Sequence, residues 1–251
     1  LHSTSRRQRQ MCIRDRVQGP DLGVTITGYQ PIKFVQDTTA SGGQIDRNDR
    51  STCDMPVFRY AEVLLNYAEA KAELGTLTQN DLVITVNEIR SRVGMRGLDM
   101  NEANKNIDWY LESKEYGYPN VTGANKGVIL EIRRERAIEL LLEGRRYDDL
   151  MRWHLGGLLN KQWYGIYIGE VDKAYDLNND GVNDVCVTDK AGSEPGVKYI
   201  VRNSERALED GASGRLVYNL QRYFNEQRYV HPIPKTALDK NPDLGQNVAW
   251  K

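Results

Sequence analysis

The chain has no long apolar run: nothing in its 251 residues approaches the ~20 consecutive apolar residues that span a bilayer. Leu1–Arg16 also lacks the apolar centre of a secretory signal. Cysteine is scarce, with only Cys12, Cys53 and Cys186 and no metal-type spacing among them. A Cys53–Cys186 bridge is open in an oxidising compartment, and free thiols are the plainer expectation. The three histidines, His2, His154 and His231, share no motif with a serine or cysteine nucleophile. A net charge of −1 removes the broad basic face that nucleic acid requires, so no nucleic-acid partner is expected. Gly42-Gly43, Gly94-Met95-Arg96-Gly97 and Gly156-Gly157 fit no phosphate-binding loop. Thirty-five acidic residues produce chance pairs at many spacings, so a glycosidase-like pair carries no weight. We expect a protein that is not an enzyme.

What is present is helical patterning. Residues 131–153 interleave arginines and carboxylates with apolar positions, which reads as two helices meeting at Gly144. Arg133, Arg134 and Arg136 stand three and four residues from Glu135, Glu139 and Glu143, the spacing of an ion-pair ladder along one helix. Ile132, Leu140, Leu141, Leu150 and Trp153 supply its packing face. A first helix is predicted from Pro56, suited to a first helical turn, to Gly75, with Tyr60, Val63, Leu64, Tyr67 and Leu74 as its stripe. A second is predicted over Asn80–Gly94, through Leu82, Val86, Ile89 and Val93. Alanines at Ala68, Ala70 and Ala72 suit close helix contact. The fold class is mainly α, stacked helical hairpins with a loop-rich side and a few short strands; 198–202 and 227–231 are the expected strands.

Two kinds of segment bear on chemistry. Asp176, Asn178, Asp180 and Asp184, with Gly181 at the turn, match part of a calcium loop, and one structural Ca²⁺ is the expectation. Val187 stands where the closing glutamate belongs, Asp189 lies close by, and a polar turn is the competing reading. Flat aromatic faces that stack on sugar rings are available in loops: Trp109, Tyr110, Tyr116 and Tyr118, then Trp163, Tyr164 and Tyr167. Packing in a satellite core is the plainer role for such residues.

Three ordered segments resemble one family. Arg133-Arg134-Glu135-Arg136, Glu139-Leu140, Glu143-Gly144, Arg146, Asp149-Leu150 and Arg152-Trp153 resemble the central signature of the SusD/RagB family. Phe58–Gly75 is similar to its R-Y-A-E-V-L-L-x-Y-A-E-A helix. His231-Pro232-Ile233-Pro234 with Asn241-Pro242-Asp243-Leu244-Gly245-Gln246-Asn247 is similar to its tail. Leu142 and Tyr147 depart mildly from the pattern. The resemblance implies tetratricopeptide-like hairpins and non-catalytic capture of an oligosaccharide. It also implies hand-over to a SusC-like TonB-dependent transporter, at the outer-membrane surface of a Gram-negative cell. Membrane attachment would be through an N-terminal lipid anchor only, and we expect this chain to be a C-terminal portion without it. The divisions expected are 1–16, a non-native or disordered segment; 17–55, an irregular remnant of the N-terminal half; and 56–251, the SusD/RagB-like region. A tetratricopeptide-type protein-binding scaffold without sugar binding is the alternative.

Overall fold

The computed structural model describes residues 33, 56–177, 179, 181–204, 206–218 and 222–250. Apart from Lys33, the divisions 1–16 and 17–55 lie outside these residues, as do Asn178 and Asp180 of the predicted calcium loop. The helices are α1 (Tyr60–Glu73), α2 (Gln79–Val83), α3 (Val86–Ser91), α4 (Met100–Lys105), α5 (Trp109–Glu112), α6 (Lys126–Glu139), α7 (Arg145–Arg152) and α8 (Lys235–Lys240). The strands are β1 (Trp163–Ile168), β2 (Ala174–Tyr175), β3 (Val185–Thr188), β4 (Lys198–Val201), β5 (Arg206–Leu208) and β6 (Gly214–Tyr218). Among the described residues no helix is long and apolar enough to cross a membrane.

α1 starts at Tyr60, four residues after the Pro56 expected to open it, and ends before Gly75, whose φ of +70° suits glycine. Its expected stripe is not its buried face. Tyr60, Val63, Tyr67 and Leu74 are exposed, while Leu65, Ala68 and Ala72 are buried. Small side chains let α1 approach α6 closely, so the alanine side wins over the side richest in apolar area. Ala70 faces outward with the exposed set.

The expected helix over 80–94 is two. A capping box of Thr78 and Asp81 opens α2, and the chain breaks before α3. Val83, Ile84, Thr85 and Val86 are four β-branched residues in a row, and the Thr85 hydroxyl donates to the Asp81 carbonyl at 2.5 Å. α6 packs on α1 and crosses α4 at Gly127, where a Cβ would lie 2.0 Å from the Ala103 carbonyl oxygen. α6 and α7 do not meet directly at Gly144. Residues 140–144 turn between them, with Leu142 at φ +61° and Gly144 at φ +76°. Leu140, Leu150 and Trp153 are buried as expected, but Leu141 sits on that turn, 38% exposed.

After Gly156–Asn160, a 3-10 turn, the chain forms two three-stranded sheets ordered β1-β6-β5 and β2-β3-β4. Ile168, Val185, Val187, Ile200, Leu208 and Leu216 make a second core between them, separate from the helical one. The strand expected at 198–202 is β4; the one expected at 227–231 is instead a 3-10 turn, Glu226–Tyr229. The tail is tied to itself by side chains. The Gln246 amide accepts from the Ile233 N–H at 2.8 Å and donates to its carbonyl at 3.0 Å, as a strand partner would, and Trp250 donates to the Val230 carbonyl at 2.8 Å.

Candidate functional site

The arginine–glutamate signature is an interhelical ion network. Arg136 meets Asp149 of α7 through Nε and Nη2 at 3.1 and 2.9 Å, with Asn66 and Glu69 of α1 on its other side. Glu69 also accepts two bonds of 2.6 Å from Arg152 and one of 2.6 Å from the Trp153 indole. Arg133 reaches Glu73 at 3.0 Å with its guanidinium 4.6 Å from the Trp153 ring, and Glu135 holds Arg90 of α3 at 2.9 Å. Glu139 takes Arg59 at 2.7 Å and also Arg92; Glu143 takes Arg59 at 2.9 Å and the Lys33 ammonium. Arg134 pairs along α6, but with Glu131, which lay outside the expected ladder, and it also meets Asp108.

Arg133, Glu135, Arg136, Glu139, Asp149 and Glu69 are all buried, so each charge relies on its partners for the solvation that water would give. Burial alone favours the neutral Glu143 carboxyl, yet hydrogen bonds from Arg59 and Lys33 outweigh it and hold the group below the usual glutamate range. A polar cavity of about 610 Å³ lies between α1 and α7, with Arg145–Glu62 at 3.2 Å and Arg152–Glu69 bridging it. These residues build a scaffold.

The aromatic residues divide. Tyr118 is 4% exposed, packs edge-on against Trp153 and accepts from Arg146 at 3.1 Å, so its ring belongs to the helical core and offers no face to a ligand. Trp109 is 74% exposed at the start of α5, held by the Asp108 carboxylate, which accepts from the Tyr110 N–H at 2.9 Å. Tyr110 stands perpendicular to Trp109 and stacks on Tyr116 at 5.5 Å with planes 9° apart. Gly117 makes that stack possible: a Cβ there would lie 2.2 Å from the Leu111 carbonyl oxygen, so only glycine lets the chain turn Tyr116 outward and Tyr118 inward.

On β1, Trp163 and Tyr167 are 55% and 69% exposed. The Arg222 guanidinium lies 3.5 Å over the Trp163 ring, and Arg215 of β6 lies 3.8 Å over Tyr164. Arg215 is also the register partner of Tyr167, is held by both Glu209 oxygens at 2.8 and 2.7 Å, and lies near enough to the Tyr116 hydroxyl for the two groups to interact electrostatically. Arg215 therefore brings the two aromatic groups of the sequence together. Nothing in the sequence announced it, or Glu209, and no strand was expected over 214–218.

The predicted calcium loop is the connection of the β2–β3 hairpin, flanked by strands. Asp176 accepts from the Gly181 N–H and Asp184 from the Leu177 N–H, both at 2.8 Å. Val187 is buried in β3, and Asp189 is engaged with Arg202 at 2.8 and 2.6 Å.

Comparison with known proteins bears on the whole chain. The SusD family model matches residues 5–250. A solved SusD-like carbohydrate binding protein from Bacteroides fragilis is 24% identical over 88% of this chain and 34% of its own, with a TM-score of 0.51. A second structure, described as BT4246, is 22% identical over 91% of this chain and 30% of its own, with a TM-score of 0.52. This chain thus spans about a third of the length of these structures, and the likeness is one of fold. A search of curated proteins returns no match. The helical hairpins, the interhelical network on the expected signature and the match over nearly its whole length place the chain: it belongs to the SusD family.

Proposed function

We propose that this chain is part of a non-catalytic oligosaccharide-capture protein of the outer-membrane surface, lipid-anchored, that passes its ligand to a SusC-like TonB-dependent transporter. The observation that carries the sugar-binding reading is that the Trp109–Tyr110–Tyr116 ring group reaches, through Tyr116, the Arg215 that covers Tyr164 and stands opposite Tyr167. Exposed rings fixed by neighbours offer stacking area at little ordering cost. Membership of the family supports the transporter and the location, and the Bacteroides fragilis relative described as carbohydrate binding supports the ligand.

Native gel electrophoresis through polysaccharide tests the reading. Binding that falls by about tenfold or more in Trp109→Ala, on the ~1–3 kcal/mol scale of a buried aromatic contact, supports it. Wild-type mobility shifts in both Trp109→Ala and Tyr167→Ala place the sugar elsewhere. The scaffold alternative retains one observation, the exposed apolar side of α1 at Tyr60, Val63 and Tyr67. It predicts capture of a protein partner that Val63→Glu abolishes while sugar binding persists. One Ca²⁺ at Asp176, Asn178, Asp180 and Asp184 is part of the same proposal, as a brace for the β2–β3 connection. A melting temperature indifferent to chelator, and to Asp184→Asn, would leave that loop a turn.

A further inference from the structure

The centre of the aromatic group is a matched charge pair, and that bears on the class of sugar. Resting on the platform reading above, we propose that this site selects neutral oligosaccharides over uronate-bearing or sulfated ones, with Glu209 as the residue that sets the preference.

The Arg215 guanidinium is the cation among the rings, and both Glu209 oxygens hold it in a two-point pair at 2.8 and 2.7 Å. A guanidinium that is to receive a carboxylate or sulfate uses that same two-donor edge. Here Nε and Nη2 form the edge, and Glu209 occupies it. The next group around Arg215 is Tyr116, whose hydroxyl stands beside the Glu115 carboxylate; that contact pushes the phenol up from its ordinary value. The Arg215 charge is thus matched by Glu209 before any ligand arrives, and the Glu115 carboxylate stands beyond Tyr116, so an anionic ligand finds the two-donor edge of Arg215 already taken.

A neutral sugar meets a different surface. The paired carboxylate keeps lone pairs for sugar hydroxyl donors, and the guanidinium N–H groups and the Tyr116 hydroxyl lie beside it as donors to sugar hydroxyl oxygens. Donor and acceptor are held side by side, a spacing that suits the two adjacent hydroxyls of a pyranose edge. Its apolar face then stacks on the neighbouring rings. Tyr164 already has one face covered by Arg215, and Trp163 one by Arg222, so Trp109 and Tyr167 offer the most open area.

The test is native gel electrophoresis followed by calorimetry. The probes are neutral glucan, mannan, galactan and arabinan on one side, and polygalacturonate and alginate on the other, at low salt. Wild type is expected to bind at least one neutral polymer and neither acidic one. Glu209→Gln frees the positive charge and should raise affinity for the acidic polymers by about tenfold, the worth of one charge-assisted hydrogen bond, with the gain lost as salt rises. Glu209→Gln lies at an exposed pair, and an unchanged melting curve separates its effect from misfolding. Tight wild-type binding of an acidic polymer that Arg215→Met removes overturns the proposal. So does a Glu209→Gln variant whose preference is unchanged while Trp109→Ala abolishes neutral binding; in that case the platform stands and only its charge selectivity fails. If no polymer binds, or binding survives Trp109→Ala and Tyr167→Ala, both readings fall together.

Discussion

The helical and strand regions use the same ion-pair chemistry at opposite extremes of burial. In the helices, Arg136 and Asp149 pair with 4% of each side chain exposed. In the strands, Arg202–Asp189 and Arg215–Glu209 are equally well formed, yet Asp189 is 59% exposed and Arg215 42%. A buried pair fixes geometry, because neither partner has water to turn to. A surface pair costs little to break and leaves its groups free to meet a ligand. The comparison separates a scaffold that tolerates no loss from a face that can be remodelled. Three substitutions probe how sharp that division is.

The largest effect is expected at Arg136. Replacing it with Met keeps the volume but leaves Asp149 and Glu69 short of a partner inside the α1–α6–α7 contact. Removing one member of a buried pair costs about 3–5 kcal/mol. Arg152 still touches both carboxylates, which places the expectation near the lower figure. Urea unfolding followed by circular dichroism measures it; a loss below about 1 kcal/mol would mean that the network is replaceable by packing.

Glu143 gives the intermediate case and a pH signature. Its carboxyl is held below the ordinary glutamate range in the folded state, where burial is outweighed by Arg59 and Lys33. A depressed carboxylate contributes stability that is complete above its unfolded value and disappears as pH falls through the folded one. Lys33 is shifted down, mainly by burial, with the Glu143 carboxylate opposing that shift. Glu143→Gln should cost about 2 kcal/mol at neutral pH, the scale of hydrogen bonds to charged groups. The variant and wild type should converge only as pH falls below the ordinary glutamate range and through the depressed folded-state value. Parallel curves from neutral to acid pH would remove Glu143 from the account.

Much of this scaffold was legible in the sequence, and the misses have physical causes. Apolar spacing found α1, α6 and α7, and Gly75 marked a real stop. The ladder expected within α6 is not how its arginines pair: Arg133 reaches Glu73, Arg136 reaches Asp149, and Arg134 takes Glu131, which lay outside the expected set. Spacing along a helix reports which charges are neighbours on its surface, and it is silent when that surface is buried against two other helices. The same blindness inverted α1: alanine counts as weakly apolar, yet Ala68 and Ala72 are what allow close approach, while Tyr60 and Tyr67 face out. Thr85 broke a helix that periodicity alone continued. The aromatic set was legible as a list, but not its grouping, because Arg215 and Tyr116 lie about a hundred positions apart and meet only in the folded chain.

The smallest effect is expected at Asp189, and it is the most demanding test of the division. Its pair with Arg202 is two-pronged, at 2.8 and 2.6 Å, as good in geometry as the pair in the helical core. Arg202 holds the Asp189 carboxyl below its usual range. Water and salt nevertheless solvate both groups when the bond opens, so Asp189→Asn should leave the unfolding midpoint unchanged. The decisive comparison repeats the measurement at about 0.01 M and about 1 M salt, where the screening length falls from roughly 30 Å to roughly 3 Å. If the midpoint of wild type moves with salt while that of Asp189→Asn does not, this surface pair contributes to stability. The strand region would then be braced by its charges much as the helices are. If neither moves, bond geometry is a poor guide to an ion pair's worth in this molecule and burial is the better one. The face around Arg215 can then exchange a carboxylate partner for a sugar hydroxyl without loosening the fold beneath it.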